Sequence, residues 1–135
     1  MFRGEPIVDD KDLVQAAREA REHAYAPYSH FRVGAALLTR SGRVFTGANV
    51  ENASYGLSVC AERVAAFNAV AAGEREFEAI AVVTGNGVMP CGACRQVLAE
   101  FGPDMRIIVA DAEGNSRTYR LPDLLPGRFT PEDLK

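Results

Sequence analysis

An α/β fold on a mixed sheet of about five strands is what this sequence predicts, on three observations. The segments with regular hydrophobic spacing follow the order α-β-β-α-β-α-β-β. Hydrophobic residues make up 47% of the 135, enough to build a core. No internal repeat or low-complexity linker divides the chain, so residues 1–135 are expected to form a single domain.

The elements follow in order. Asp9-Asp10-Lys11-Asp12 reads as a helix start, with Asp9 or Asp10 as the N-cap and acids in the first turn. Leu13, Ala16, Ala17, Ala20 and Ala24 then recur at helical spacing, and Pro27 forces an end near Ala24. YAPYSHF (25–31) is a loop. VGAALLT (33–39) is a strand, Ser41-Gly42 a turn, and RVFTGANV (43–50) a returning strand, which together make a hairpin. ENASYGLS (51–58) is polar and irregular. AERVAAFNAVAA (61–72) is a helix closed by Gly73. After Glu62 and Arg63 it is apolar on nearly every side except at Asn68, which predicts burial all round. One face should cover the sheet and another should meet a second subunit. EFEAIAVVTG (76–85) is a strand, CGACRQVLAEFG (91–102) a short helix, and MRIIVAD (105–111) a strand. Glu113-Gly114-Asn115 is a turn before the last strand, SRTYRL (116–121). The tail, PDLLPGRFTPEDLK, carries three prolines and should pack as short turns.

Charge excludes some partners. The formal net charge is −3, and lysine occurs only at Lys11 and Lys135. A nucleic-acid binder would show a basic patch or stripe, so no nucleic-acid partner is expected. No apolar run is long enough to span a membrane. The acidic start, MFRGEPIVDDKDLV, lacks the apolar stretch of a secretory signal. Three cysteines without an export signal argue against a disulfide framework and for the cytoplasm.

Those three cysteines carry the chemistry. Cys60 precedes one predicted helix, and Cys91 and Cys94 begin another, in PCGACRQ (90–96). A helix N-terminus favours thiolate over thiol, and thiolates bind zinc in tetrahedral geometry. Cys91 and Cys94 lie on one helical turn and can face one ion; Cys60 supplies a third ligand if the two helix starts meet. A closed structural site would need a fourth cysteine or histidine. His23 and His30 are the candidates, and neither has a partner at ligand spacing. A position left open to water is the catalytic arrangement. Glu62, two residues after Cys60, has plain uses as a cap or an ion-pair partner. Beside a metal-activated water it could instead move protons.

Taken together, Cys60-Ala61-Glu62-Arg63 and Pro90-Cys91-Gly92-Ala93-Cys94-Arg95-Gln96 resemble the zinc-dependent cytidine deaminases, in their small homotetrameric all-cysteine branch. APYSHFRVGAALL (26–38), GANVENASY (47–55) and LLPGRF (124–129) extend the resemblance over nearly the whole chain. It implies a three-layer α/β/α cytidine-deaminase-like fold and one Zn2+ per chain on Cys60, Cys91 and Cys94. It implies Glu62 as the catalytic proton shuttle. Asn49 and Glu51 would bind ribose, Phe31 would pack on the pyrimidine, and Ala61 would offer backbone groups to the base. Tyr55 and Phe129 would reach a neighbouring subunit's site. Arg63 would donate to a thiolate and offset the negative charge of three sulphurs. The activity implied is hydrolytic deamination of cytidine and deoxycytidine, small-molecule nucleosides, by a homotetramer whose sites neighbouring subunits complete.

Three other readings compete. A deaminase of an aminonucleoside antibiotic such as blasticidin S shares the metal motifs, though Asn49-Val50-Glu51-Asn52 favours the cytidine branch. A non-enzymatic zinc-stabilised binding module would need a fourth ligand. A thioredoxin-like redox protein would leave Cys60 and Glu62 without a use. The chain also departs from the family pattern at TGNGVMP (84–90), which is shorter than in many members.

Overall fold

Residues 8–134 are described by the computed structural model. The expectation for the N-terminus falls in part on residues 1–7, outside that range. Helix α1 spans Asp10–Arg21. Asp9 is its N-cap: its carboxylate accepts from Asp12 N at 2.9 Å, and the Asp12 carboxylate accepts from Asp9 N at 3.4 Å. The apolar pattern reaches Ala24, but the helix stops at Arg21. His23 N and Ala24 N bond to Ala20 O and Arg21 O at 3.0 and 3.1 Å, tightening the last turn. Tyr25 then leaves to pair with Val50, which fixes where the chain departs.

Strands β1 (Gly34–Thr39), β2 (Val44–Ala48), β3 (Phe77–Val83), β4 (Arg106–Ala110) and β5 (Ser116–Arg120) form one sheet in the order β2-β1-β3-β4-β5. Only β3 and β4 are parallel neighbours; the other pairs are antiparallel. Asn49 and Val50 fall outside β2 because Val50 pairs with Tyr25 on one side and Val59 on the other. Helix α2 spans Ala61–Ala71 and α3 spans Gly92–Phe101. The proline-rich tail forms a one-turn helix, α4 (Leu121–Leu124), and a 3-10 turn at Pro131–Leu134.

Alternation along the strands separates two cores. Ala36, Leu38, Ala79, Ala81, Val83, Ile108 and Ala110 face Leu13 and Ala17 of α1. Ala35, Leu37, Ile80, Val82, Ile107 and Val109 face α2, α3 and α4. The result is the three-layer α/β/α arrangement expected.

Helix α2 is not buried all round in the single chain. Ala61, Ala65, Ala66 and Ala69 are fully buried, whereas Phe67 is 50% exposed. The alanines have a geometric reason. A Cβ added at Gly47 on β2 would stand 2.5 Å from Ala65 N and 2.6 Å from Ala61 O. The helix backbone thus lies directly on the strand, where only small residues fit.

Gly47→Ala is therefore expected to lower stability by about 2 kcal/mol through overpacking. Gly56→Ala, whose Cβ meets nothing within 4 Å, should stay within about 0.5 kcal/mol of wild type. Urea denaturation of the two variants makes the comparison.

Candidate metal centre and substrate pocket

Strand direction brings the site together. Gly34 pairs with Ala48 on one side and Val83 on the other, and Val83 pairs with Ala110. Strands β2 and β3 therefore point the same way and end at the same edge of the sheet. The chain from β2 leads into α2 and that from β3 into α3, both on the same face. The carboxyl edge of such a sheet is where α/β proteins place their ligands.

Cys60 is the N-cap residue of α2 and Cys91 that of α3, and neither sulphur caps its own helix. Cys94 lies one turn into α3, fully buried. The three Sγ atoms lie within 4.8 Å of one another, and Cys91 and Cys94 are 3.5 Å apart. Sulphurs on a tetrahedral zinc ion at about 2.3 Å stand about 3.8 Å apart, so the donor set fits that metal. Among the described residues no histidine joins the group. A closed four-ligand site and the binding-module reading that needs one are therefore not favoured.

The electrostatics divide the sulphurs, favouring thiolate at Cys60 and thiol at Cys94. The Cys60 thiol is lowered to about 5 by its hydrogen bond with Cys94, with Arg63 adding to the effect against burial. Cys94 is pushed up because it bonds to Cys60 and is buried. Arg63 Nη2 donates to Cys60 Sγ at 3.4 Å, while its buried Nε has no partner among the described residues. Glu62 is 5% exposed, and burial raises its carboxyl to about 7. That value suits a group that must both take and give a proton near neutral pH. Ala61 is fully buried beside it.

A second cluster lies on the loops at this edge. Glu51 accepts from Tyr28 N at 3.0 Å and Ser29 N at 3.1 Å, and the Ser29 hydroxyl donates to its other oxygen. Those donors lower the Glu51 pKa, with the Ser29 hydroxyl first. Glu51 lines a cavity of about 300 Å³ with Tyr28, Ser29, Tyr55 and Ser58. Asn49 Oδ1 accepts from Val33 N at 2.9 Å, and its Nδ2 donates to Phe31 O at 2.8 Å. Asn49 thus holds the backbone that presents Phe31, which is 40% exposed. Tyr55 and Phe129 stand 76% and 56% exposed. The Tyr55 ring stands edge to face with Tyr28, ring centroids 6.2 Å apart.

Supporting residues surround these groups. Ser29, inside the APYSHFRVGAALL stretch but given no role there, is the partner of Glu51. Arg95 Nε donates to Pro90 O, and its Nη1 to Leu124 O, both at 2.8 Å. Gln96 Nε2 donates to Phe129 O at 2.9 Å. Helix α3 therefore ties the segment before Cys91 to the tail that carries Phe129.

Three converging thiols, an arginine on one of them and a buried carboxylate beside them make a group that could hold a metal ion on an α/β/α scaffold. The comparisons make the class specific. The family described as "Cytidine and deoxycytidylate deaminase zinc-binding region" matches residues 7–110. The cytidine deaminase of Halalkalibacterium halodurans is 52% identical over 130 residues, covering 94% of this chain and 98% of that one. That of Mycobacterium tuberculosis is 47% identical over 131 residues, covering 96% of each. The crystal structure of cytidine deaminase from Burkholderia pseudomallei superposes with a TM-score of 0.87 at 53% identity, covering 90% of this chain and 100% of that one. The chain belongs to the cytidine and deoxycytidylate deaminase family, and the matched region is a zinc-binding one.

Hydrogen bonds to the charged form hold the Glu51 carboxylate below its ordinary value of 4.5, so their contribution is present above that pH and fades as pH falls through the lowered value. Ser29→Ala should raise the Glu51 pKa toward 4.5, read by an NMR pH titration of the side-chain carboxyl carbon.

Proposed function

We propose that this chain is a zinc-dependent cytidine deaminase that converts cytidine and deoxycytidine to uridine and deoxyuridine with release of ammonia. The observation that carries the reading is the convergence of Cys60, Cys91 and Cys94 within 4.8 Å beside the buried Glu62. The relatives reported above are named cytidine deaminases, and no feature of the chain favours an antibiotic substrate over a nucleoside.

Cys60, Cys91 and Cys94 would hold one Zn2+. The metal supplies a Lewis acid that makes water nucleophilic at neutral pH. Glu62 takes the proton of the attacking water and delivers it to N3 of the cytosine ring. With the water oxygen bonded to C4, Glu62 then carries the remaining proton of that oxygen to the C4 amino group; the C4–N bond breaks, ammonia departs and C4 is left as a carbonyl. Burial of Glu62 keeps its carboxyl in the range where both transfers are favourable. Arg63 offsets part of the charge of three thiolates by donating to Cys60. Phe31 packs against the pyrimidine, and the Ala61 backbone meets the base. Asn49 and Glu51 bind the ribose. Each amide or carboxylate oxygen has two lone pairs and the amide nitrogen two protons, so bonds to the backbone leave capacity for hydroxyls.

The fold is read as one domain over residues 1–135. The exposed aromatics support an assembly: Phe67 on the outer face of α2, and Tyr55 and Phe129 at the carboxyl edge. We assign Tyr55 and Phe129 to a neighbouring subunit's site in a homotetramer. The three free cysteines suit a reducing compartment, and the enzyme is placed in the cytoplasm. No helix among the described residues is long and apolar enough to cross a membrane.

Glu62→Gln should lose at least about 10³ in kcat while keeping its zinc, because general acid–base catalysis is withdrawn at more than one step. Absorbance assays on cytidine with parallel zinc analysis test this, and near-normal turnover would sink the assignment. Light scattering after size exclusion should give the mass of four chains, and Phe67→Asp should yield smaller species.

A further inference from the structure

Residues 84–90 lead directly into Cys91. Their exposed residues give little packing: Val88 and Met89 are 41% and 37% exposed. Two side chains outside the metal centre hold the stretch instead. Thr84 follows β3, is 1% exposed, and its backbone N donates to Ala110 O at 3.1 Å. Its hydroxyl oxygen accepts from Gly87 N at 2.7 Å and from Val88 N at 3.1 Å. Its hydroxyl proton is directed at Asn86 Oδ1, 3.4 Å away. A hydroxyl offers one donor and two acceptor sites, and all of them are engaged here. Gly87 turns at φ +72, in the left-handed region, with the Asp111 backbone and Cβ packed close to it. At the other end, Arg95 Nε holds Pro90 O.

We propose that Thr84 is a positioning residue for the metal centre. Its buried hydroxyl folds the short 84–90 segment back on itself, so that Cys91 stands beside Cys60 and Cys94 before any metal arrives. The proposal rests on the reading of the three cysteines as the zinc site. The physical argument is one of pre-organisation. A ligand carried on a loop that samples several arrangements binds with an affinity reduced by the fraction of time it is correctly placed. With the hydroxyl present, two consecutive N–H groups are fixed just ahead of Pro90, and Arg95 fixes the carbonyl of Pro90 itself. Valine has the shape of threonine but removes the acceptor of both N–H groups. Serine keeps the acceptor and removes only a methyl. A purely architectural role for Thr84 would instead depend on the methyl and on volume, and would show in stability.

The test compares wild type, Thr84→Val and Thr84→Ser as full-length protein. Zinc affinity is measured by competition with a chromogenic chelator, and thermal unfolding of the zinc-free forms is followed by circular dichroism. Thr84→Val should bind zinc about 10-fold or more weakly, the range seen when supporting hydrogen bonds around metal ligands are removed. Thr84→Ser should bind within about 3-fold of wild type, and zinc-free Thr84→Val should unfold within a few degrees of wild type. Exchange of the Gly87 and Val88 amides in zinc-free protein should be faster in Thr84→Val than in Thr84→Ser. Equal zinc affinity in Thr84→Val and wild type overturns the proposal, as does Thr84→Ser behaving like Thr84→Val. If Thr84→Val does not fold, Thr84→Ala takes its place and the same ordering against Thr84→Ser decides. Wild-type protein that takes up no zinc overturns the metal reading and this proposal together; zinc-binding wild type matched by Thr84→Val overturns this one alone.

Discussion

Strand β1 runs antiparallel to both of its neighbours, so β2 and β3 are forced to point the same way and to stop at the same edge of the sheet. The rest of the site depends on that constraint. Each of those strands must return through a crossover, each crossover contains a helix, and both helices begin at the common edge on the same face. Two helix starts are thereby brought together without any contact designed for the purpose. A cysteine before each, and another one turn into the second, then converge. Helix N-termini supply unpaired N–H groups and partial positive charge where thiolates gather. The fold and the chemistry of the donors therefore support each other.

Convergence also needs closeness, and closeness sets the composition of α2. With Gly47 almost touching the backbone of Ala61 and Ala65, any larger residue on the inner face would lift the helix from β2. Cys60 and Glu62 would be lifted with it. The run of alanines thus has less to do with helix propensity than with distance. Glu62, in the first turn of that helix, is buried as well, and burial is the leading cause of its raised pKa.

Much of this was legible in the residues. The order of elements, the hairpin, both helix starts after cysteines and the Asp9 cap all follow from local chemistry: spacing, turns and capping. The convergence of Cys60, Cys91 and Cys94 was legible because metal chemistry restricts both residue type and spacing. The end of α1 was not, because Ala24 continues the apolar pattern while the Tyr25–Val50 bridge, a long-range contact, overrides it. For α2 the structure reports on the sheet-facing side alone: its alanines are buried, and Phe67, on the side expected to meet a second subunit, is exposed in the single chain. Ser29 and Thr84 carried no signal as isolated residues. Their importance lies in which backbone groups their hydroxyls meet, and that is known only once the loops are placed.

Asn49 ties two parts of the scaffold together. Its amide bonds the backbone on either side of Arg32, fixing the start of β1 and the presentation of Phe31 at once. A side chain with two such duties has little freedom to vary. Replacing it would move Phe31 and the strand start together, so neither could be adjusted alone. The exposed side chains of Leu57 and Val88, on which no backbone group depends, are under no such tie.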